Sequence, residues 1–122
     1  MSDAQNLQGT WRITRLEMNG APMPAAMLAN AKIVIEGLRF TSLGMGAEYS
    51  GQMSFDPNAR PKRFAVKFDG SGPESGRTNN AIYELDGDNW RLCVHVGGGP
   101  APAGFTTSAG DNCAYEVLVR ER

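Results

Sequence analysis

A chain of 122 residues fits one domain, taken here as residues 1–122, and is long enough to bury a core without disulfide or metal staples. Hydrophobic residues make up 41% and charged residues 20%, which excludes a disordered chain. Twelve basic residues are scattered among thirteen acidic ones for a net charge of -1, a balance that excludes the one-signed face nucleic acid needs.

Glycines and prolines cut the chain into short segments, most of which alternate apolar and polar residues as half-buried strands do. The first predicted strand is Thr10–Met18. Pro24–Asn30 (PAAMLAN) reads as a short helix, with proline as its starter. Ala31–Ile35 and Leu38–Leu43 follow as a hairpin around Glu36-Gly37. In Ala47–Phe55, residues Ala47, Tyr49, Gly51, Met53 and Phe55 share one face. After the turn Asp56–Pro61, the strand Arg63–Phe68 puts Phe64, Val66 and Phe68 on one side. Asp69–Asn80 is a loop of turn formers in which Glu74 and Arg77 are candidates for the rim of a pocket. Ala81–Leu85 and Trp90–Val96 flank Asp86-Gly87-Asp88-Asn89, whose Asp-Gly pair tolerates the positive φ of a tight hairpin turn. Gly97–Gly104 is a flexible connection, and Phe105–Ser108 and Cys113–Arg120 close the chain. On the last strand Tyr115, Val117 and Val119 read as the inward face. Arg120 is then expected to point outward, and Cys113 inward. The pattern predicts an all-β fold, an antiparallel barrel or sandwich of eight or nine strands in near-sequential order.

No apolar run approaches the ~20 residues of a membrane span, and MSDAQNLQG lacks the basic and apolar regions of a signal peptide. The expected location is the cytoplasm, with Cys93 and Cys113 as reduced thiols.

Candidate chemistry is sparse. His95, the one histidine, shares the outward parity of Arg91 and Cys93. A haem ligand or a Cys-x-His metal half-site would each need further ligands nearby, so no metal and no cofactor is expected. Asp86–Asn89 lacks the remainder of a calcium loop. Arg60–Arg63 is a small basic cluster at a strand entrance, and Gly97–Gly99 lacks the helix and Lys-Ser/Thr of a phosphate loop. No catalytic triad or carboxylate pair stands out, and no catalytic residue is assigned.

Gly9-Thr10-Trp11, a G-x-W at the head of the first strand, resembles the calycin or lipocalin-like pattern. The stretches LQGTWRITRLEMNGAPMP, IVIEGLRF, FDPNARPKRFAVKF, GPESGRT, NAIYELDGDNWRLCV and GFTTSAG resemble more narrowly the small lipocalin-like domains first described from planctomycetes, a family of unknown function. The chain departs from that pattern at Trp90, where leucine is usual, and at Ala101, where arginine is usual. The resemblance implies a lipocalin-like barrel whose first strand carries Gly9 and Trp11 at the closed end. Arg120 and Arg122 are the candidate cations over the indole. The expected function is non-catalytic binding of a small apolar or amphipathic ligand, with Phe40, Tyr49, Met53, Phe64, Phe68, Tyr83, Leu92 and Tyr115 as cavity lining. The alternatives are a filled barrel acting as a structural or interaction domain, monomeric or homodimeric, and thirdly a small-barrel enzyme.

Overall fold

The computed structural model describes residues 3–44, 48–56, 58–68, 77–96 and 98–121. After a helix of one turn, α1 (Asp3–Asn6), the strands run β1 (Gly9–Met18), β2 (Ala21–Pro22), β3 (Lys32–Glu36), β4 (Arg39–Leu43), β5 (Tyr49–Asp56), β6 (Lys62–Phe68), β7 (Thr78–Asp86), β8 (Asn89–His95) and β9 (Cys113–Arg120). Every pairing is antiparallel. The sheet runs from β1 through β3 to β9 in sequence order, and β9 pairs back onto β1, closing an eight-stranded barrel. Closure leaves no unpaired edge along the barrel wall. The short β2 is an addition beside the end of β1.

Three expected elements differ. Thr78–Asn80, expected as the end of the loop from Asp69, are the first residues of β7. The segment read as a helix at 24–30 holds one turn of 3-10 helix, Ala25–Leu28, of which only Leu28 is buried. Phe105–Ser108 forms no strand. It belongs to a connection laid against the outside of β8 and β9, where the Phe105 ring meets Tyr115 at 6.4 Å. Ala47 and Gly97 lie outside the described residues.

Hairpin chemistry sets the register. Asp86 pairs with Asn89 across a two-residue loop, and Gly87 takes the φ of +59° that its first position demands. On β1 a bulge between Ile13 and Arg15 resets the parity. Trp11 and Ile13 face inward before it and Leu16 after it, while Thr14 and Arg15 are both exposed.

The packed core occupies the end of the barrel beside α1. Trp11 is fully buried and donates its indole Nε1–H to the Leu7 carbonyl at 2.8 Å. Trp90 meets it edge to face at 5.4 Å, and Phe64 and Tyr83 continue the stack. The Tyr83 hydroxyl donates to Asp3 at 2.7 Å and Lys62 pairs with the same carboxylate at 3.0 Å, so α1 is pinned across the barrel end. Burial raises the Asp3 carboxyl, but the Tyr83 and Lys62 hydrogen bonds outweigh it and hold the group below its ordinary value.

Arg120 completes this plug and reverses the expected parity of β9. Ala114, Glu116, Leu118 and Arg120 face inward, and Tyr115 and Val117 pack with Ile82, Cys93 and Cys113 on the outside. The guanidinium lies 4.3 Å from the centre of the Trp11 ring, donates to the Asn6 and Gln8 carbonyls, and pairs with Asp88 at 2.9 Å. Gly9 is held at φ +116°, a conformation strained for any residue with a Cβ, and the Arg120 Nη1 lies 3.5 Å from where that Cβ would stand. The G-x-W pair therefore has a local reason: the glycine allows the turn into β1 and the tryptophan fills the floor. Arg122 lies outside the described residues.

Candidate functional site

Away from the plug the barrel is hollow. A cavity of about 340 Å³ opens at the end opposite α1. Strands β1, β3 and β4 contribute Leu16, Met18, Ile33, Phe40 and Ser42 to its wall. From β5, β6 and β7 come Tyr49, Phe64, Val66, Phe68 and Asn79. The remainder is Leu92, Val94 and Val96 on and just after β8, with Ala114 and Glu116 on β9. Met18 and Tyr49, at 36% and 38% exposure, are large apolar side chains left open to water at its rim.

Gly51 sits where the neighbouring strand leaves no room for a side chain. It faces inward in register with Phe40 on β4 and Phe68 on β6, and a Cβ there would stand 2.4 Å from the Lys67 carbonyl oxygen. The two phenyl rings meet edge to face over the glycine at 6.3 Å, and Tyr49 meets Phe68 at 6.2 Å.

Of the residues expected to line a cavity, Phe40, Tyr49, Phe64, Phe68 and Leu92 do so. Met53 and Tyr83 are buried in the solid part of the core and do not reach the hollow. Tyr115 is corrected outright: it lies on the outer wall beneath Phe105, with the Arg15 guanidinium 5.7 Å from its ring. The barrel-closing group Gly9, Trp11 and Arg120 does come together, but on the inner face.

Sequence reading missed Glu116. It faces the hollow in register with Leu16 on β1 and Leu92 on β8. Among the described residues no donor or cation meets its carboxyl. Removal from water is the one cause acting on it, and it lifts the carboxyl from the ordinary 4.5 to about 7. Water from the open mouth still touches part of the side chain, so it is desolvated by apolar walls without being sealed. The signal that was available is Arg120: once that side chain covers Trp11, strand alternation puts Leu118, Glu116 and Ala114 inside with it.

The outer face of β8 and β9 carries the other candidate groups. Cys93 and His95 share it, as expected, and Cys113 stands beside them instead of facing inward. Both thiols are free. Burial, then the neighbouring Cys113 and Asp111, lifts the Cys93 thiol to about 11 against a weak bond to the Thr106 carbonyl. A protonated thiol is a poor nucleophile and a poor metal ligand. His95 lies outside the barrel against Gly99, with Nδ1 buried and without a hydrogen-bond partner among the described residues. Among the described residues no cluster of three or more His, Cys, Asp and Glu is placed to hold a metal. A second hollow, of about 370 Å³, lies along the outer wall, where Ser54, Asp56, Arg63 and Asn80 face Pro100 and Ala101. Its lining carries both signs of charge. Arg77 is described and exposed but does not line the barrel cavity, and Glu74 lies outside the described residues.

No family model, curated protein or solved structure matches the chain. No described helix is long and apolar enough to cross a membrane.

Proposed function

We propose that this barrel is a lipocalin-like carrier or sensor that holds one small amphipathic ligand in its open end and performs no chemistry on it. The observation that carries the reading is the cavity with its carboxyl: apolar walls, an open mouth rimmed by Met18 and Tyr49, and Glu116, which meets no donor or cation among the described residues. Ligand sites characteristically combine an apolar hollow with a few convergent polar groups and a perturbed titrating group. A volume of about 340 Å³ is at the small end of that class. At ~30 Å³ per water it corresponds to a ligand of on the order of ten heavy atoms. The unbridged thiols suit a reducing compartment such as the cytoplasm.

Native mass spectrometry of the protein as purified, followed by titration with short-chain apolar probes, tests the reading. A discrete adduct, or saturable one-to-one binding that Phe68→Trp blocks by filling the hollow, supports it. A bare mass with no saturable binding of any probe rules it out.

A further inference from the structure

We infer that the ligand is an organic ammonium ion, a protonated amine on a compact apolar body, and that Glu116 is its counter-ion. This rests on the ligand-binding reading above and adds the charge of the ligand to it.

The argument begins with where the carboxyl stands. Glu116 is not at the rim, where water alone would satisfy it. Ala114 precedes it on the inner face of β9, and Leu118, fully buried in the plug, follows it. Its cross-strand neighbours on both sides, Leu16 and Leu92, are buried leucines that offer no hydrogen bond. The polar residues that line the same hollow from β4, β5 and β7 are Ser42, Tyr49 and Asn79. β6 presents apolar side chains, and the remaining inward residues of β1 and β8 are apolar too. Tyr49 is the sole other titratable lining residue described, and no described lining residue is a cation. The nearest arginine on β9, Arg120, is committed at the floor to Trp11, Asp88 and two carbonyls.

An ionised carboxyl among apolar walls, half-buried and with no cation beside it among the described residues, is costly to carry, and glutamine or leucine at the same place would avoid the cost. A ligand that supplies the missing positive charge lowers that cost on binding, because the pair forms between apolar walls where water screens it only in part. An anionic amphiphile would set a second negative charge beside the first. A neutral alcohol would form one hydrogen bond and leave the charge uncompensated. The same cavity thus grades ligands of equal size in the order ammonium, alcohol, carboxylate. The site's affinity for an amine also depends on the ionisation of Glu116. Burial holds that carboxyl near 7, whereas an alkylamine stays protonated to much higher pH. Amine binding therefore tightens as the pH rises through about 7 and releases a proton below it.

The test is isothermal titration calorimetry of the whole protein with octylamine, octan-1-ol and octanoate, which share one chain and differ in head group, at about pH 8 and about pH 5. The inference expects octylamine to bind at least about tenfold more tightly than octan-1-ol at the higher pH, with octanoate weakest. It expects the amine's advantage to shrink at least about tenfold at the lower pH while octan-1-ol is unaffected. Below pH 7, the heat should vary with the buffer's ionisation enthalpy, which reports the released proton without any variant. In Glu116→Gln, checked for native folding by circular dichroism, octan-1-ol should still bind and the amine preference should vanish. If octan-1-ol binds as well as or better than the amine in the parent protein, or if Glu116→Gln keeps the preference, the charge assignment is wrong and the ligand-binding reading survives. If none of the three binds, that reading falls, and this inference with it.

Discussion

Glu116→Gln should stabilise the empty protein at neutral and alkaline pH and do little in acid. Folding raises the pKa of this carboxyl, so between about 4.5 and about 7 the folded protein holds a proton the unfolded chain has lost. Stability must then fall as the pH climbs through that interval and level off above it. A rise from 4.5 to about 7, at ~1.36 kcal/mol per pH unit, amounts to about 3 kcal/mol. Water at the open mouth screens part of the charge, and about 2 kcal/mol is the expected difference. The neutral amide of glutamine carries a desolvation cost of its own, but one that does not change with pH.

Urea denaturation of parent and variant at about pH 5 and about pH 8 measures the effect as a double difference. Glu116→Gln should gain about 2 kcal/mol on the parent between the two conditions. Asp3 does not confuse the comparison. Its folded pKa is lowered, so its contribution is present above the ordinary carboxylate range and lost only as the pH falls through the lowered value, equally in both proteins. Parallel pH profiles for parent and variant, within about 0.5 kcal/mol, would refute the placement of Glu116 among apolar walls.

The two indoles of the plug should answer differently to the same substitution. Trp11→Phe strands the buried Leu7 carbonyl, while Trp90→Phe deletes an Nε1–H that has no partner among the described residues, so the first should cost at least about 2 kcal/mol more than the second in denaturant midpoints. Equal costs would mean the indole hydrogen bond is immaterial. Arg120→Met should destabilise by about 2–4 kcal/mol, since it uncaps two carbonyls, Asp88 and the Trp11 face together. Arg120→Lys should recover less than half, because an ammonium cannot reproduce the fork that spans Asn6, Gln8 and Asp88. Full recovery would show that charge alone suffices.

Most of the barrel was readable because its hairpins are local. Gly37 and Gly87 each sit first in a two-residue loop, and the strands around them alternate cleanly, so strand positions followed within a few residues. The inner face of β5 and β6 was equally plain, since Gly51, Met53, Phe64 and Val66 are buried and their neighbours Gln52, Ser54, Arg63 and Lys67 are exposed. The failure falls on β9, and it has a specific physical cause. Alternation identifies the buried face only when one face of a strand meets water. Here the connection through Phe105 covers the outside of β9, so Tyr115 and Val117 are apolar for reasons unrelated to the barrel interior. The inside, in turn, carries two charged residues, Arg120 at the floor and Glu116 in the hollow. Apolar residues outside and ionisable ones inside invert the usual pattern, and hydrophobicity alone then assigns the strand the wrong way round. The two inward charges invert it for opposite reasons. Arg120 is satisfied by Trp11, Asp88 and two carbonyls, so its burial is explained by architecture. Glu116 meets no such set of partners among the described residues, so its inward place is not explained by architecture, and it is on this difference that the proposed ligand site rests.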